Sequence, residues 1–279
     1  DEVLNTKVSI EDKPDTKANP VANGEVAFEH VSFAYPGAKE NVLEDISFVA
    51  KTGQTTAIIG GTGSGKTTLV NLIPRFYDVT KGKVMVDGTD IREMSQESLR
   101  EAIGYVPQKG VLFSGTIASN LRYGKEDATK EQVMDAARIA QAKEIIDGNK
   151  DGLDSAIAQG GSNVSGGQKQ RFSIARAIVK DPKIYIFDDS FSALDYKTDA
   201  ILRRELSKKT KEAAVIIVAQ RISTILHAEQ IIVLNEGKVA GIGTHQELFD
   251  HCAVYREIAE SQLSEADIAK LKAQGKEVM

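Results

Sequence analysis

The chain has 279 residues, of which 41% are hydrophobic and 27% are charged, and its formal net charge is −5 with a pI near 5.6. This length allows one large domain or two small ones, and the hydrophobic content is sufficient for a sizeable core. The acidic balance argues against a nucleic-acid partner, because binding nucleic-acid phosphates requires clustered Lys and Arg. The single cysteine, Cys252, excludes a disulfide framework and a thiolate metal site.

Neither a membrane span nor an export signal is predicted. The longest unbroken apolar run, residues 213–219, is far shorter than the roughly 20 residues that cross a bilayer, and no signal peptide opens the chain. We therefore expect a soluble, cytosol-type polypeptide. Residues 1–24 are polar and contain prolines, which predicts a linker with at most one short strand or helix near residues 3–10. Residues 263–279 are charged and predict a tail that is a solvated helix or disordered.

Between residues 25 and 91 the apolar pattern is mainly that of strands. The strand candidates are residues 26–35, 42–51, 54–60 and 82–91. The alternation in the first candidate slips by one position at Glu29–His30, which indicates a bulged or bent strand. A helix is predicted after Lys66 and ends at Pro74, and Asp87-Gly88 is typical of a hairpin turn.

Between residues 95 and 180 the apolar spacing is mostly helical, and the part from about 110 to 180 predicts a helical insertion. One of its helices begins with a capping box formed by Thr129 and Gln132. The elements predicted after the insertion are strands at 183–188 and 213–219, a hairpin at 231–243 and one helix over 245–263. Helices that alternate with buried strands predict the α/β class with a parallel sheet.

The stretch GGTGSGKTT fits the phosphate-loop pattern G-x-x-x-x-G-K-[ST] and lies between a predicted strand and a predicted helix. Its glycines let successive backbone N–H groups face an anion, and the helix N-terminus adds a partial positive charge. Lys66 is predicted to reach the β- and γ-phosphates of a nucleotide, and the Thr67 hydroxyl is predicted to bind Mg²⁺. The candidate nucleotide-binding residues of this loop are Gly60, Gly61, Thr62, Gly63, Ser64, Gly65, Lys66, Thr67 and Thr68.

Two further motifs follow. An apolar strand ends on Asp188, which we predict to be a second Mg²⁺ ligand, because Mg²⁺ favours one or two carboxylates together with substrate phosphates. Ser165, Gly166 and Gly167 open a helix and predict a second anion-binding N-terminus. One nucleotide has one γ-phosphate, so a single chain does not need two anion-binding helix N-termini for it.

In this order the motifs closely resemble those of the nucleotide-binding domain of an ATP-binding-cassette (ABC) transporter of the exporter type, over about residues 25–260. The resemblance implies a RecA-like P-loop NTPase core, an antiparallel β subdomain and an inserted α-helical subdomain, within a domain of residues 25–262. It also implies that two such domains enclose two Mg²⁺–ATP molecules, each between one chain's phosphate loop and the other chain's signature motif. That motif is Ser165, Gly166, Gly167 and Gln168.

The resemblance implies further roles. Tyr35 is expected to stack on the adenine, and Gln108 to contact Mg²⁺ and the attacking water. Residues 111–121 look like the segment that meets the membrane domains, and Asp195 ends a loop like the one that crosses the dimer interface. We therefore expect transmembrane domains upstream of residue 1 and a location at the cytoplasmic face of the cell membrane.

Two positions depart from the family pattern. The residue after the Mg²⁺ aspartate is usually a Glu that acts as base, and this chain has Asp189; the switch histidine is replaced by Gln220. Asp is one methylene shorter than Glu, and Gln carries neither a proton nor a charge. The pairing predicts a degenerate site that binds ATP and hydrolyses it poorly, as in one half of a heterodimeric, multidrug-type exporter.

Four alternatives remain open. In the first, Asp189 still serves as base and Gln220 still contacts phosphate. In the second, Asp189 is an engineered substitution. In the third, the chain is a fully active ATPase subunit of a homodimeric exporter. A protein of another class, a soluble ABC ATPase of DNA repair or translation, predicts a basic face, a coiled-coil insertion or a second cassette, and the sequence shows none of these.

Overall fold

The computed structural model describes residues 10–14, 16 and 20–264. The strands of this part are β1 (Val26–Phe33), β2 (Leu43–Ala50), β3 (Thr55–Gly60), β4 (Lys81–Val86), β5 (Thr89–Asp90), β6 (Ile103–Val106), β7 (Gly115–Thr116), β8 (Ala156–Ile157), β9 (Ile184–Asp188), β10 (Ala214–Val218), β11 (Gln230–Asn235) and β12 (Lys238–Gly243). The helices are α1 (Lys66–Leu72), α2 (Gln96–Glu101), α3 (Ile117–Arg122), α4 (Lys130–Ile139), α5 (Lys143–Asp147), α6 (Gly166–Lys180), α7 (Tyr196–Lys209), α8 (Ile222–Ile225), α9 (His245–His251) and α10 (Ala253–Gln262). Among them, no helix combines the length and apolar character that a membrane span requires.

The central sheet has six strands in the order β12-β11-β3-β10-β9-β6, and all of them except β12 run parallel. Strand β9 is buried on both faces, as expected for a strand covered by helices on each side. Tyr185 and Phe187 point into one core cluster, and Ile184 and Ile186 point into the other. The predicted α/β class and parallel sheet are confirmed.

The second sheet is antiparallel, with the order β2-β1-β4-β5. The register of β1 with β2 shifts between Phe28 and Val31, and His30 between them has a positive φ of 47°. This is the bulge that the phase slip predicts. The Asp87-Gly88 turn joins β4 and β5, with φ values of 49° and 78°. Such a pair of positive φ angles characterises a tight hairpin turn, so the predicted hairpin is also confirmed.

The predicted helical insertion lies between β6 and β9 in sequence and contains helices α3 to α6. Helix α6 packs on α3 and α4. The predicted capping box is present in α4, where Thr129 and Gln132 bond to each other's backbone N–H groups. Val133, Ala136 and Ala137 lie on its buried face. An inserted α-helical subdomain is therefore part of the fold.

Periodicity misses one strand and mispredicts one helix. The mostly helical stretch from 95 to 180 also contains β6, a strand of the central sheet, which is short and includes Gly104. A Cβ at Gly104 would lie 2.7 Å from Pro182, so close packing requires glycine there. The single helix predicted over 245–263 is broken at Cys252, whose backbone is extended and whose thiol packs beneath β12.

Asp87 holds the chain segment that leads into β1. Its two carboxylate oxygens accept backbone N–H groups from four successive residues at 2.9 Å each, namely Ala22, Asn23, Gly24 and Glu25. The backbone N–H of Asp87 in turn donates to the Glu25 carbonyl. The final residues of the predicted linker are therefore fastened to the hairpin. The predicted element near residues 3–10 and the tail fall almost wholly outside the described residues.

Replacing Asp87 by Asn should lower the free energy of unfolding by about 2 kcal/mol, because an amide offers one acceptor oxygen where the carboxylate offers two charged ones. Asn tolerates the positive φ, so backbone strain does not add to the loss. The matched control is Asp45→Asn, at a position that also has a positive φ, of 53°, but whose carboxylate contacts the exposed His30 ring and no row of backbone N–H groups among the described residues. We expect about 0.5 kcal/mol or less from the control in denaturant unfolding. Equal losses from both variants would contradict the anchoring role.

Candidate nucleotide-binding site

Most of the predicted site residues lie at one edge of the central sheet. The phosphate loop follows β3, and Gln220 follows β10. Asp188 ends β9 and Asp189 comes directly after it, while Gln108 follows β6 by two residues. Because β3, β10, β9 and β6 are parallel neighbours, their carboxyl ends meet at the same edge. The sheet topology therefore brings together residues that are far apart in sequence.

The phosphate loop curls through glycine conformations. Gly63 and Gly65 have φ values of 79° and 97°, and a Cβ at Gly65 would lie 2.7 Å from the Leu43 side chain. Gly65 is the N-cap of helix α1, and no side chain caps the first turn of this helix. The Lys66 ammonium donates to the carbonyl oxygens of Gly60 and Gly61, at 2.9 and 2.7 Å. The lysine therefore folds back over the loop whose phosphate ligand it is predicted to contact.

The predicted Mg²⁺ ligands are adjacent. The Thr67 hydroxyl donates to Asp188 Oδ1 at 3.1 Å, so a hydroxyl and a carboxylate offer oxygen atoms side by side. Mg²⁺ prefers such hard oxygen ligands and completes its shell with phosphates and water. Among the described residues, no group of three or more His, Cys, Asp or Glu side chains could hold a metal. One hydroxyl and one carboxylate fill only part of a Mg²⁺ coordination shell, so this donor pair fits a metal whose other ligands are nucleotide phosphates and water.

Asp189 is held by two amides. Gln220 Nε2 donates to its Oδ2 at 2.7 Å, and Gln108 Nε2 donates to the same oxygen at 3.1 Å. Its backbone has a positive φ of 48°, and its N–H donates to the Val218 carbonyl at the end of β10. The three residues predicted to be catalytic therefore form one hydrogen-bonded cluster.

Tyr35 lies beside the phosphate loop. Its hydroxyl is 2.9 Å from the Thr68 hydroxyl, and the rings of Phe33 and Tyr77 meet its ring edge-on at 4.9 and 5.2 Å. The ring is half-buried, so part of it faces solvent. Its stacking on adenine stays a prediction.

The signature motif stands apart from this cluster. Ser165 and Gln168 form a capping box at the start of α6, and Ser165 and Gly166 are exposed. Among the described residues, no hydrogen bond or ion pair joins the motif to the phosphate loop. Buried Gln170, less than two turns further along α6, donates to the carbonyl of Pro107, the residue before Gln108.

Sequence reasoning missed two residues around the site. The Tyr105 hydroxyl contacts Asp188 from β6, and the position of Tyr105 three residues before the predicted site residue Gln108 was a usable signal. The Gln262 side chain, at the end of α10, accepts from the Ile222 N–H and donates to the Gln220 carbonyl, both at 2.9 Å. No local pattern connects residue 262 to residue 220, so only the folded chain reveals this contact.

Comparison with known proteins identifies the family. A family model described as “ABC transporter” matches residues 43–192, which is more than half of the chain. The chain belongs to the ABC transporter family.

Related ABC proteins match almost the whole chain. An uncharacterized ABC transporter ATP-binding protein of Mycobacterium tuberculosis is 48% identical over 272 residues, which is 96% of this chain and 46% of that protein. An ATP-dependent lipid A-core flippase of Chromobacterium violaceum is 39% identical, over 91% of this chain and 44% of the flippase. The structure of a bacterial Atm1-family ABC exporter with ATP bound matches with a TM-score of 0.90 and 36% identity, covering 95% of this chain and 46% of that chain.

These matches confirm the expected fold and the exporter-type ABC ATP-binding domain. The ABC domain spans about half the length of the relatives it matches. The alternative of a soluble ABC ATPase of DNA repair or translation is not supported by them.

Burial sets the electrostatics of the ABC domain's site. It raises the pKa of both Asp188 and Asp189 above the ordinary value for aspartate, although hydrogen bonds from Thr67, Tyr105 and Gln108 act in the opposite direction. Burial also lowers the pKa of Lys66, against the attraction of the two aspartates. Ionised carboxylates at this edge therefore cost stability, which the structure tolerates at the site where Mg²⁺ and phosphates are predicted to bind.

Asp189→Asn should raise the free energy of unfolding at pH 7. Because the pKa of Asp189 is higher in the folded chain, stability falls as pH rises from the ordinary aspartate range through the raised pKa, and the amide removes this loss. The gain should be smaller at a pH near the ordinary pKa of aspartate than at pH 7, because protonation then removes the charge whose burial the amide avoids. Denaturant unfolding at both pH values measures it.

The control for this prediction is Asp195→Asn. Hydrogen bonds from Thr198 lower the pKa of Asp195, so neutralising it should destabilise the domain at pH 7. A loss of stability from Asp189→Asn at pH 7 would show that its charge is favourable in the fold.

Proposed function

We propose that this chain is the ATP-binding domain of an ABC exporter that pairs with a second such domain around Mg²⁺–ATP, and that its own site binds ATP more effectively than it hydrolyses it. The signature motif of this chain would then complete the competent site of the partner, a different chain. Transport of a substrate across the membrane would be driven by this ATP-dependent pairing.

The observation that carries the proposal is the environment of Asp189. One of its oxygens accepts two amide N–H groups, from Gln108 and Gln220, and neither amide can take up a proton. A base must come within hydrogen-bond reach of the water it activates, and a misplacement of about 1 Å can cost roughly a hundredfold in rate. Asp189 is one methylene shorter than the glutamate usual at this position and is drawn toward the two glutamines. Both features favour a site that binds ATP and hydrolyses it slowly.

The remaining residues would bind the nucleotide. Lys66 would exchange the carbonyl oxygens of Gly60 and Gly61 for the β- and γ-phosphates, and Tyr35 would stack on the adenine. Thr67 and Asp188 would hold Mg²⁺, which neutralises phosphate charge when bound. These roles are supported by position: Lys66, Thr67 and Asp188 lie at the carboxyl edge of the central sheet, and Tyr35 lies beside the phosphate loop.

An exposed aromatic surface supports docking to membrane domains. Val111, Phe113 and Tyr123 are 51%, 46% and 71% exposed, and they lie in or just after the segment 111–121 that resembles the exporter contact region. The Arg176 guanidinium lies 5.4 Å and 5.7 Å from the centres of the Phe113 and Tyr123 rings. Exposed aromatic groups of this kind mark interaction sites. Such docking would place the domain at a face of the membrane, and we propose that this is the cytoplasmic face.

The second candidate is a fully active subunit of a homodimeric exporter. It is favoured by the intact capping box of the signature motif and by the complete phosphate loop, because a symmetric pair needs both in each chain. In that case Asp189 acts as the base in two equivalent sites.

Isolated, this chain should bind Mg²⁺–ATP, remain largely monomeric and hydrolyse ATP far more slowly than the roughly 10 per second typical of enzymes.

In the assembled exporter, Asp189→Glu combined with Gln220→His should raise single-turnover hydrolysis at this site, because the longer carboxylate reaches further and histidine can carry a proton. Rapid quench of radiolabelled ATP measures the rate. An unchanged rate would mean that these two positions do not limit hydrolysis.

The two candidates differ in how two single variants behave in the exporter. If this chain's site is degenerate, Asp189→Asn removes little steady-state ATPase activity, whereas Gly166→Glu removes most of it by placing a negative side chain where the partner's γ-phosphate binds. A Cβ at Gly166 meets no atom within 4 Å, so Gly166→Glu should still fold, and Gly166→Ala serves as its control. In a homodimer, Asp189→Asn removes nearly all activity of the mutated pair.

A further inference from the structure

Tyr105 connects three parts of the candidate site. It lies on β6, and its hydroxyl is 2.9 Å from Asn71 Oδ1 on α1 and 3.4 Å from Asp188 Oδ2 at the end of β9. Its ring meets the edge of Phe76, at 5.8 Å between ring centres. The same side chain thus contacts the helix that follows the phosphate loop, the predicted Mg²⁺ aspartate and a ring that is 44% exposed.

The contacts fix the orientation of the Asp188 carboxylate. Its Oδ1 receives the Thr67 hydroxyl at 3.1 Å, and its Oδ2 faces the Tyr105 hydroxyl on the other side. Each carboxylate oxygen therefore has one hydroxyl neighbour. A phenol has a single proton, so Tyr105 shares it between Asn71 and Asp188.

We infer that Tyr105 is a positioning residue that orients Asp188 toward Mg²⁺ through the contact between its hydroxyl and Asp188 Oδ2. The inference rests on the proposed binding of Mg²⁺–ATP. Thr67 is itself a predicted metal ligand, so its hydrogen bond to Asp188 would be lost when Mg²⁺ binds. The Tyr105 hydroxyl would then be the one that still donates to the Asp188 carboxylate. Hydrogen bonds that orient a metal-binding carboxylate raise metal affinity. Because Tyr105 would act through this carboxylate, we expect nucleotide binding without the metal to change little.

The test is Tyr105→Phe, which removes one oxygen and keeps the ring beside Phe76. Calorimetric titration with a non-hydrolysable ATP analogue, in Mg²⁺ and in EDTA, gives the ratio by which Mg²⁺ tightens binding. We expect this ratio to fall by about tenfold, with the affinity in EDTA changing by about twofold or less. A role in packing alone would weaken binding equally in both conditions.

Tyr185→Phe is the matched control. Tyr185 lies on β9, three residues before Asp188, and its buried hydroxyl has no hydrogen-bond partner among the described residues. Its loss should leave the ratio unchanged. Asn71→Ala is the second variant, because it removes the competing acceptor and leaves the phenol proton to Asp188, so the ratio should stay at or above the wild-type value.

The outcomes separate the two proposals. If the wild-type chain does not bind the analogue with Mg²⁺ and does not bind it in EDTA, the proposed function is wrong. If it binds with a clear Mg²⁺ effect that Tyr105→Phe leaves unchanged, or that Asn71→Ala reduces as strongly, the positioning role of Tyr105 is wrong. Denaturant unfolding of each variant verifies that the fold is intact.

Discussion

The parallel register of β3, β10, β9 and β6 is the constraint on which the site depends. Four strands end at one edge, and each is followed by a segment that carries one predicted part of the site: the phosphate loop, Gln220, the paired aspartates and Gln108. Asp188 ends β9 and Asp189 follows it; β9 is buried along its whole length, and burial raises the pKa of both carboxyl groups. A sheet that is covered on both faces shields the ends of its strands from water. Such a sheet requires strands that are apolar on both faces.

Adjacent aspartates acquire different character from their neighbours. Asp188 is approached by the hydroxyls of Thr67 and Tyr105, so its carboxylate lies among oxygen atoms of the kind that bind Mg²⁺. Asp189 is approached by two amides that donate to a single oxygen. One backbone step separates them, yet the first environment suits a metal ligand and the second restrains a potential base. The positive φ of Asp189 turns the chain between the two environments, and aspartate is among the residues that tolerate this conformation.

Local patterns in the sequence predict whatever is decided locally. The bulge at His30, the Asp87-Gly88 hairpin and the capping box of α4 each depend on residues within a few positions of one another, and each was predicted. Strand β6 was missed because four residues with a central glycine carry almost no periodic signal, and it is identified only by pairing with β9. The break at Cys252 was missed because the apolar spacing continues across it. The contacts of Tyr105 and Gln262 depend on the pairing of distant elements, which periodicity does not encode.

Helix α6 carries the signature motif at its N-terminus and also contacts the loop that leads to Gln108. Its N-terminus presents Ser165 and Gly166 to solvent, away from the phosphate loop of the same chain. Less than two turns along, buried Gln170 donates to the carbonyl of Pro107, and the next residue, Gln108, bonds to Asp189. One helix therefore carries the surface that would complete a partner's site and also touches the loop that restrains this chain's own carboxylate. Since a buried hydrogen bond is costly to leave unmade, the two ends of this connection are held in a fixed relation as long as α6 stays docked. The asymmetry proposed for this domain thus depends on the side chains at 189 and 220, because the framework that positions them is that of an ABC ATP-binding domain.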